Sequence, residues 1–203
     1  MATAPKQARS IATEQRMLDA AEDLLKGGDS RQVTVENVTK LSGAKVSSFY
    51  ARFGSVEGFF DALRDRYRDA VYQTAILEAY EKALQQTDLR SAIYHSLKPT
   101  LELARREHIA ISYLLRNPNV DQVELINQRK FMVDKTLEIL QKHRKEIKKK
   151  DLRRASENIS RMAHATWVHL ALMEPSEFIG RKTSLSSVIE LTTEMAYQYL
   201  TNE

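Results

Sequence analysis

Apolar residues recur three and four positions apart along nearly the whole chain, and no stretch shows the two-residue alternation of a half-buried strand. The pattern predicts an all-α protein. A first helix is read in "TEQRMLDAAEDLLKGG", with Thr13 as N-cap, Met17, Leu18, Ala21, Leu24 and Leu25 as the buried stripe, and Gly27–Gly28 as its end. A second, short helix starts at Thr34 as N-cap and turns Val35, Val38 and Leu41 inward. Ser42–Gly43–Ala44 makes a turn, and a third helix runs from Lys45 to Arg52 with Phe49 and Phe53 as apolar anchors. Ser55 caps a fourth, whose stripe of Val56, Phe60, Leu63, Tyr67, Ala70, Thr74 and Leu77 continues to Leu84 without a breaker.

Beyond it, a helix from Asp88 is expected to bury Leu89, Ile93, Leu97 and Leu101, with Pro99 kinking or breaking it. "NPNV", Asn117 to Val120, stops one helix and restarts the next. Val123, Ile126, Val133, Leu137, Leu140 and Ile147 mark a long helix ending in "HRKEIKKKD". Two more helices, residues 151–173 and 184–200, complete the pattern. The first is apolar on two sides, through Ile159, Met162, Thr166 and Leu170 and through Trp167, Val168 and Leu172. The second carries Leu185, Val188, Ile189, Thr192, Met195, Ala196 and Tyr199.

The glycine at position 43 carries the functional question. Helices of about eight residues are marginal alone and need tertiary support. Two of them joined by a glycine turn and packed on a first helix form a helix-turn-helix, although an ordinary helical hairpin fits the spacing equally well. The composition of the third helix separates the two. "KVSSFY" is polar at Lys45, Ser47 and Ser48 and anchored behind by Phe49, where a bundle helix would carry a broader apolar stripe. In this arrangement Val38 and Phe49 meet inside the corner, and the third helix projects its N-terminal end into the major groove of double-stranded DNA. Thr13 and Thr34 then offer hydroxyls and helix N-termini to phosphates.

Composition narrows the alternatives. With 203 residues, 42% hydrophobic and 29% charged, the chain is an ordinary soluble globular protein of one or two domains. The absence of cysteine removes disulfides and cysteine-based chemistry. The N-terminal "MATAPKQARS" lacks an apolar signal core, and no run approaches the roughly 18 apolar residues of a membrane span. A cytoplasmic protein without a membrane partner is expected. The net charge of +4 is compatible with nucleic acid, but residues 1–54 carry only eight Lys/Arg against six Asp/Glu. The run "KHRKEIKKKDLRR", Lys142 to Arg154, reads as a solvated helix end. There is no G-x-S-x-G, H-E-x-x-H, P-loop or G-x-G-x-x-G, and His164 and His169 do not share a helix face. Neither an enzyme nor a cofactor or metal site is expected.

"TEQRMLDAAEDLLKGG", "TVENVTKLSG", the pair Phe49–Tyr50, Phe53 and then Ser55–Val56–Glu57 together resemble the tetracycline-repressor (TetR) family of transcriptional regulators over roughly residues 13 to 60. The resemblance implies an N-terminal arm and three-helix helix-turn-helix domain, residues 1–54, followed by a helical effector-binding and dimerisation domain, residues 55–203. It places base-contact roles on Lys45, Val46, Ser47 and Ser48 and a phosphate contact on Tyr50, with Arg52 and the arm adding affinity. It further implies a ligand-responsive repressor acting as a homodimer through the last two helices on a palindromic operator, with reading helices about 34 Å apart or more. A small-molecule effector would lie between the middle helices, where Tyr94, Tyr113, Met132, His164 and Trp167 are candidate contacts. Two positions depart from the family pattern. Ala44–Lys45 stands for Val-Ser at the start of the recognition helix, and Val56 stands for a lysine that contacts phosphate. The second departure keeps open a helical dimeric adaptor or ligand-binding protein with a degenerate reading head.

Overall fold

A computed structural model of the chain describes residues 4–71, 76–116, 122–173 and 180–202, in which ten α-helices and no strand occur. They are α1 (Ala4–Lys26), α2 (Val35–Ser42), α3 (Val46–Phe53), α4 (Val56–Val71), α5 (Leu77–Gln85), α6 (Leu89–Arg106), α7 (His108–Arg116), α8 (Gln122–Lys142), α9 (Leu152–Leu172) and α10 (Leu185–Thr201). They divide into two compact units, one from residues 1–69 with 109–120 and the other from 70–108 with 121–203. Among the described residues, no helix is long and apolar enough to cross a membrane.

The first unit, the head, is built on α1. Met17, Leu18, Ala21 and Leu25 of α1 pack with Val38, Phe49, Phe59, Leu63 and Ala110 in one core. α1 begins at Ala4 rather than at Thr13, which corrects the expected N-cap. The Thr13 hydroxyl lies inside the helix and donates to the Arg9 carbonyl at 2.9 Å, so no helix end is available there. Thr34 does cap α2, accepting from the Asn37 amide at 3.2 Å. The inward face of α2 is rotated from the expected one, with Leu41 57% exposed and Thr39 buried instead. Thr39 can enter the core because its hydroxyl bonds back to the Val35 and Glu36 carbonyls. Ser55 caps α4 by accepting from the Gly58 amide at 3.1 Å.

The second unit packs α6 against α5, α9 and α10, with α8 against α9 and α5. Its main core joins Leu89, Ile93, Leu97 and Leu101 of α6 to Leu140, Ile159, Leu170, Ile189 and Leu200. A smaller cluster holds Ile76, Tyr80, Ala83, Ala92 and Ile139. Three side-chain caps start its helices: Asp88 accepts from Ser91, Asp151 from Arg154 and Ser184 from Ser187. Pro99 sits inside α6 without breaking it. The long eighth helix stops at Lys142. A 3₁₀ turn, Arg144–Glu146, follows, so Ile147 is buried from a loop rather than from the helix. Val123 and Ile126, expected in its buried stripe, are 67% and 59% exposed. Thr74 and the "NPNV" stretch lie outside the described residues.

Candidate nucleic-acid interface

Gly43 ends α2 in a left-handed conformation, φ 67°, that glycine adopts without a Cβ penalty. Its amide donates to Lys40 and the Ala44 amide to Thr39 at 3.0 Å, which satisfies carbonyls left over at the helix end. The turn hands the chain to α3, whose Phe49 is fully buried. Phe49 contacts Phe53 and Phe59 with ring centroids 5.1 and 5.0 Å apart, and Phe53 meets Phe59 at 5.0 Å. This aromatic cluster fixes α3 from behind.

The opposite side of α3 is open. Lys45 and Ser47 are exposed, Val46 is 50% and Tyr50 45% exposed, while Ser48 is half-buried rather than exposed as expected. Lys45 precedes the helix in an extended conformation and makes no side-chain cap. The Ser48 and Phe49 amides both donate to the Lys45 carbonyl, at 2.9 and 3.1 Å, so α3 starts directly behind an exposed lysine. Thr34, also exposed, begins α2. The structure thus brings Lys45, Val46, Ser47 and Tyr50 onto one surface, and leaves Thr13 without a helix end. Arg52 is exposed but engaged: its guanidinium is ion-paired with Glu14 of α1 and donates to Ser10 Oγ at 3.1 Å.

The effector candidates divide between the units. Tyr113 packs in the head, its ring 5.3 Å from Phe60, and burial pushes its hydroxyl pKa up to about 12. In the second unit Trp167 stacks on His164, centroids 6.0 Å apart and 12° from parallel. Burial, then the Arg129 charge, lowers the His164 pKa and favours the neutral ring. Tyr94 borders the main core with Lys98 Nζ 5.5 Å above its ring. Met132 contributes its carbonyl to a polar chain that the sequence does not announce. Thr136 Oγ1 donates to Met132 at 2.9 Å, Tyr80 OH lies 3.5 Å from Thr136 Oγ1, and Ser160 Oγ donates to it at 3.4 Å. Tyr80 and Ser160 sit within apolar stripes, which hides them from a pattern reading. Among the described residues, no three His, Asp or Glu side chains gather closely enough to hold a metal ion.

An all-helical chain with a helix-turn-helix head and a larger helical unit has known relatives in structure. The chain matches the crystal structure of a TetR-like transcriptional regulator from Rhodococcus sp. RHA1 with a TM-score of 0.58 at 16% identity, covering 94% of this chain and 97% of that one. It matches NalD, the secondary repressor of the MexAB-OprM multidrug efflux pump in Pseudomonas aeruginosa, with a TM-score of 0.65 at 15% identity, over 97% and 99% of the two chains. No protein-family model matches, and no curated protein matches in sequence. The fold is that of the TetR-like regulators.

Proposed function

We propose that the protein is a DNA-binding transcriptional regulator: a repressor that reads a palindromic operator as a homodimer and releases it on binding a small molecule. The observation that carries the reading is the exposed surface at the start of α3, where Lys45, Val46, Ser47 and Tyr50 all face solvent while Phe49 is buried in the head core. Reading rests in residues 1–54, with Thr34 at the start of α2 as a further phosphate contact. Effector binding and dimerisation rest in residues 55–203. The likeness of the fold to TetR-like regulators supports the division.

Dimerisation through α9 and α10 is supported by apolar surface that one chain leaves uncovered. Leu191 and Met195, one turn apart on α10, are 62% and 52% exposed, and Leu172 on α9 is 40% exposed. Two-fold pairing would bury them against their own copies. For the effector, Tyr94 and Trp167 border the main core of the second unit, His164 stacks on Trp167 and Met132 meets Thr136, whereas Tyr113 belongs to the head.

The test is selection of genomic fragments on the purified protein, followed by titration of a recovered duplex at several salt concentrations. A palindrome should be enriched, and log affinity should fall linearly with log salt. Lys45→Ala should weaken binding about tenfold or more, and Tyr50→Phe by several-fold, both without loss of helicity. No retention at low salt would reject the regulator and leave the adaptor reading, which Val56 at the start of α4 favours.

A further inference from the structure

We infer that Arg52 is a positioning residue of the reading helix and not one of its phosphate contacts. The inference rests on the DNA-reading proposal for α3.

A guanidinium available to DNA keeps its fork free for phosphate. Arg52 has three of its five N–H donors engaged within the head. Its Nε and Nη2 both engage Glu14 Oε2, and Nη1 donates to Ser10 Oγ at 3.1 Å. The Arg52 side chain is 34% exposed and that of Glu14 23%, so the pair is half-withdrawn from water. A phosphate could take the Nε–Nη2 edge of Arg52 in a bidentate grip only by displacing Glu14, which would leave an unpaired carboxylate beside the polyanion.

The same stretch of α1 holds the other end of the turn. Arg16 Nε donates to the Ser42 carbonyl at 3.3 Å, immediately before Gly43, and its Nη2 donates to Thr13 Oγ1 at 3.2 Å. Residues 10–16 of α1 therefore strap both helices of the reading unit, α2 through Arg16 and α3 through Arg52. α4 is tied to α1 in the same manner, since Arg66 reaches Asp19 and Glu22. In the head, the carboxylates of α1 at positions 14, 19 and 22 each meet an arginine from a later helix.

An eight-residue helix needs this. Phe49 anchors α3 near its middle and the Gly43 turn constrains its start, while the chain leaves its far end at Gly54. Phe49 and Phe53 hold α3 from behind on Phe59, and the strap to α1 adds a lateral tie against residual tilting, with Phe49 as the pivot. At 1.5 Å rise per residue, Lys45 stands about 6 Å from that pivot, so a tilt of about 10° displaces it by about 1 Å. A hydrogen bond to a base edge does not survive an error much larger than that.

The experiment titrates the full chain against the recovered duplex over a range of salt, with Arg52→Ala, Glu14→Gln and the reciprocal pair Arg52→Glu with Glu14→Arg. Arg52→Ala and Glu14→Gln should each weaken binding about tenfold while leaving the slope of log affinity on log salt unchanged. The reciprocal pair should recover most of the loss. A phosphate-contacting Arg52 gives the opposite signs. Glu14→Gln would then free the arginine and tighten binding, and Arg52→Ala would reduce the slope by about 0.9 for each phosphate lost. Either result overturns the inference. Thermal unfolding of the same variants without DNA tests the strap separately: coupled effects of the two single substitutions support it, and additive effects overturn it. Failure of the unmodified protein to bind any duplex overturns the DNA-reading proposal instead.

Discussion

Gly43, before α3, and Gly58, in the helix that follows it, are glycine for different reasons. At Gly43 a Cβ would meet nothing within 4 Å, so the only penalty for Gly43→Ala is the left-handed backbone at φ 67°. That penalty is about 1–2 kcal/mol. The stiffer unfolded chain returns about 0.4–1 kcal/mol, which leaves a net loss near 1 kcal/mol. At Gly58, in the first turn of α4, φ is ordinary, but a Cβ would run into the Phe53 carbonyl where the end of α3 folds back. Backbone cannot swing aside as a side chain can. Gly58→Ala must therefore shift the Phe53–Ser55 turn and should cost about 2–3 kcal/mol, in the range of overpacked sites. Urea unfolding of the DNA-free protein, followed by far-UV circular dichroism, measures both. Each 1 kcal/mol corresponds to a midpoint shift of about 4–8 °C in a thermal melt of a unit of 60–100 residues. Gly43→Asn should recover part of the alanine loss, because asparagine tolerates this conformation. A Gly43→Ala variant as stable as the parent, or less stable than Gly58→Ala, would refute the assignment.

Two further outcomes are expected. Met195→Glu and Leu191→Glu change residues already 52% and 62% exposed in one chain, so the fold should persist while sedimentation shows a monomer and operator binding collapses; a stable dimer would move the interface elsewhere. His164 has a folded pKa below the ordinary 6.5, so the unfolded chain binds the extra proton first and stability is lost as pH falls below about 6.5. The ring is partly solvated, which keeps the effect small, and His164→Gln should flatten the acid side of the melting-temperature profile.

Much of the fold is legible in the chain because its signals are local. Thr34, Asp88, Asp151 and Ser184 cap helices where a short polar residue precedes an apolar stripe, and the bond each makes lies within three residues. Gly43 and Phe49 are legible for the same reason. Thr13 shows the limit. A hydroxyl ahead of a stripe serves as an N-cap, but inside a helix it can bond to the carbonyl four residues back, and nothing between Ala4 and Thr13 interrupts the helix. The stripe itself reports that a face is apolar, not what covers it. Leu41, Val123 and Ile126 sit at the right period and remain exposed in one chain, while Ala110 joins the head core from far along the sequence.

The candidate DNA-contacting surface divides along the same line. Ser47 is recognisable because the helical period sets it about 160° around α3 from Phe49, whereas Tyr50 lies about 100° away at the flank and Lys45 precedes the helix. An arginine carries no such constraint, since its long stem reaches in several directions from one backbone position. Whether Arg52 faces DNA or α1 is decided by Glu14 and Ser10, 38 and 42 residues earlier. On the proposed reading, a basic residue of α3 meets phosphate only when no carboxylate of α1 claims it first. Here Glu14 does.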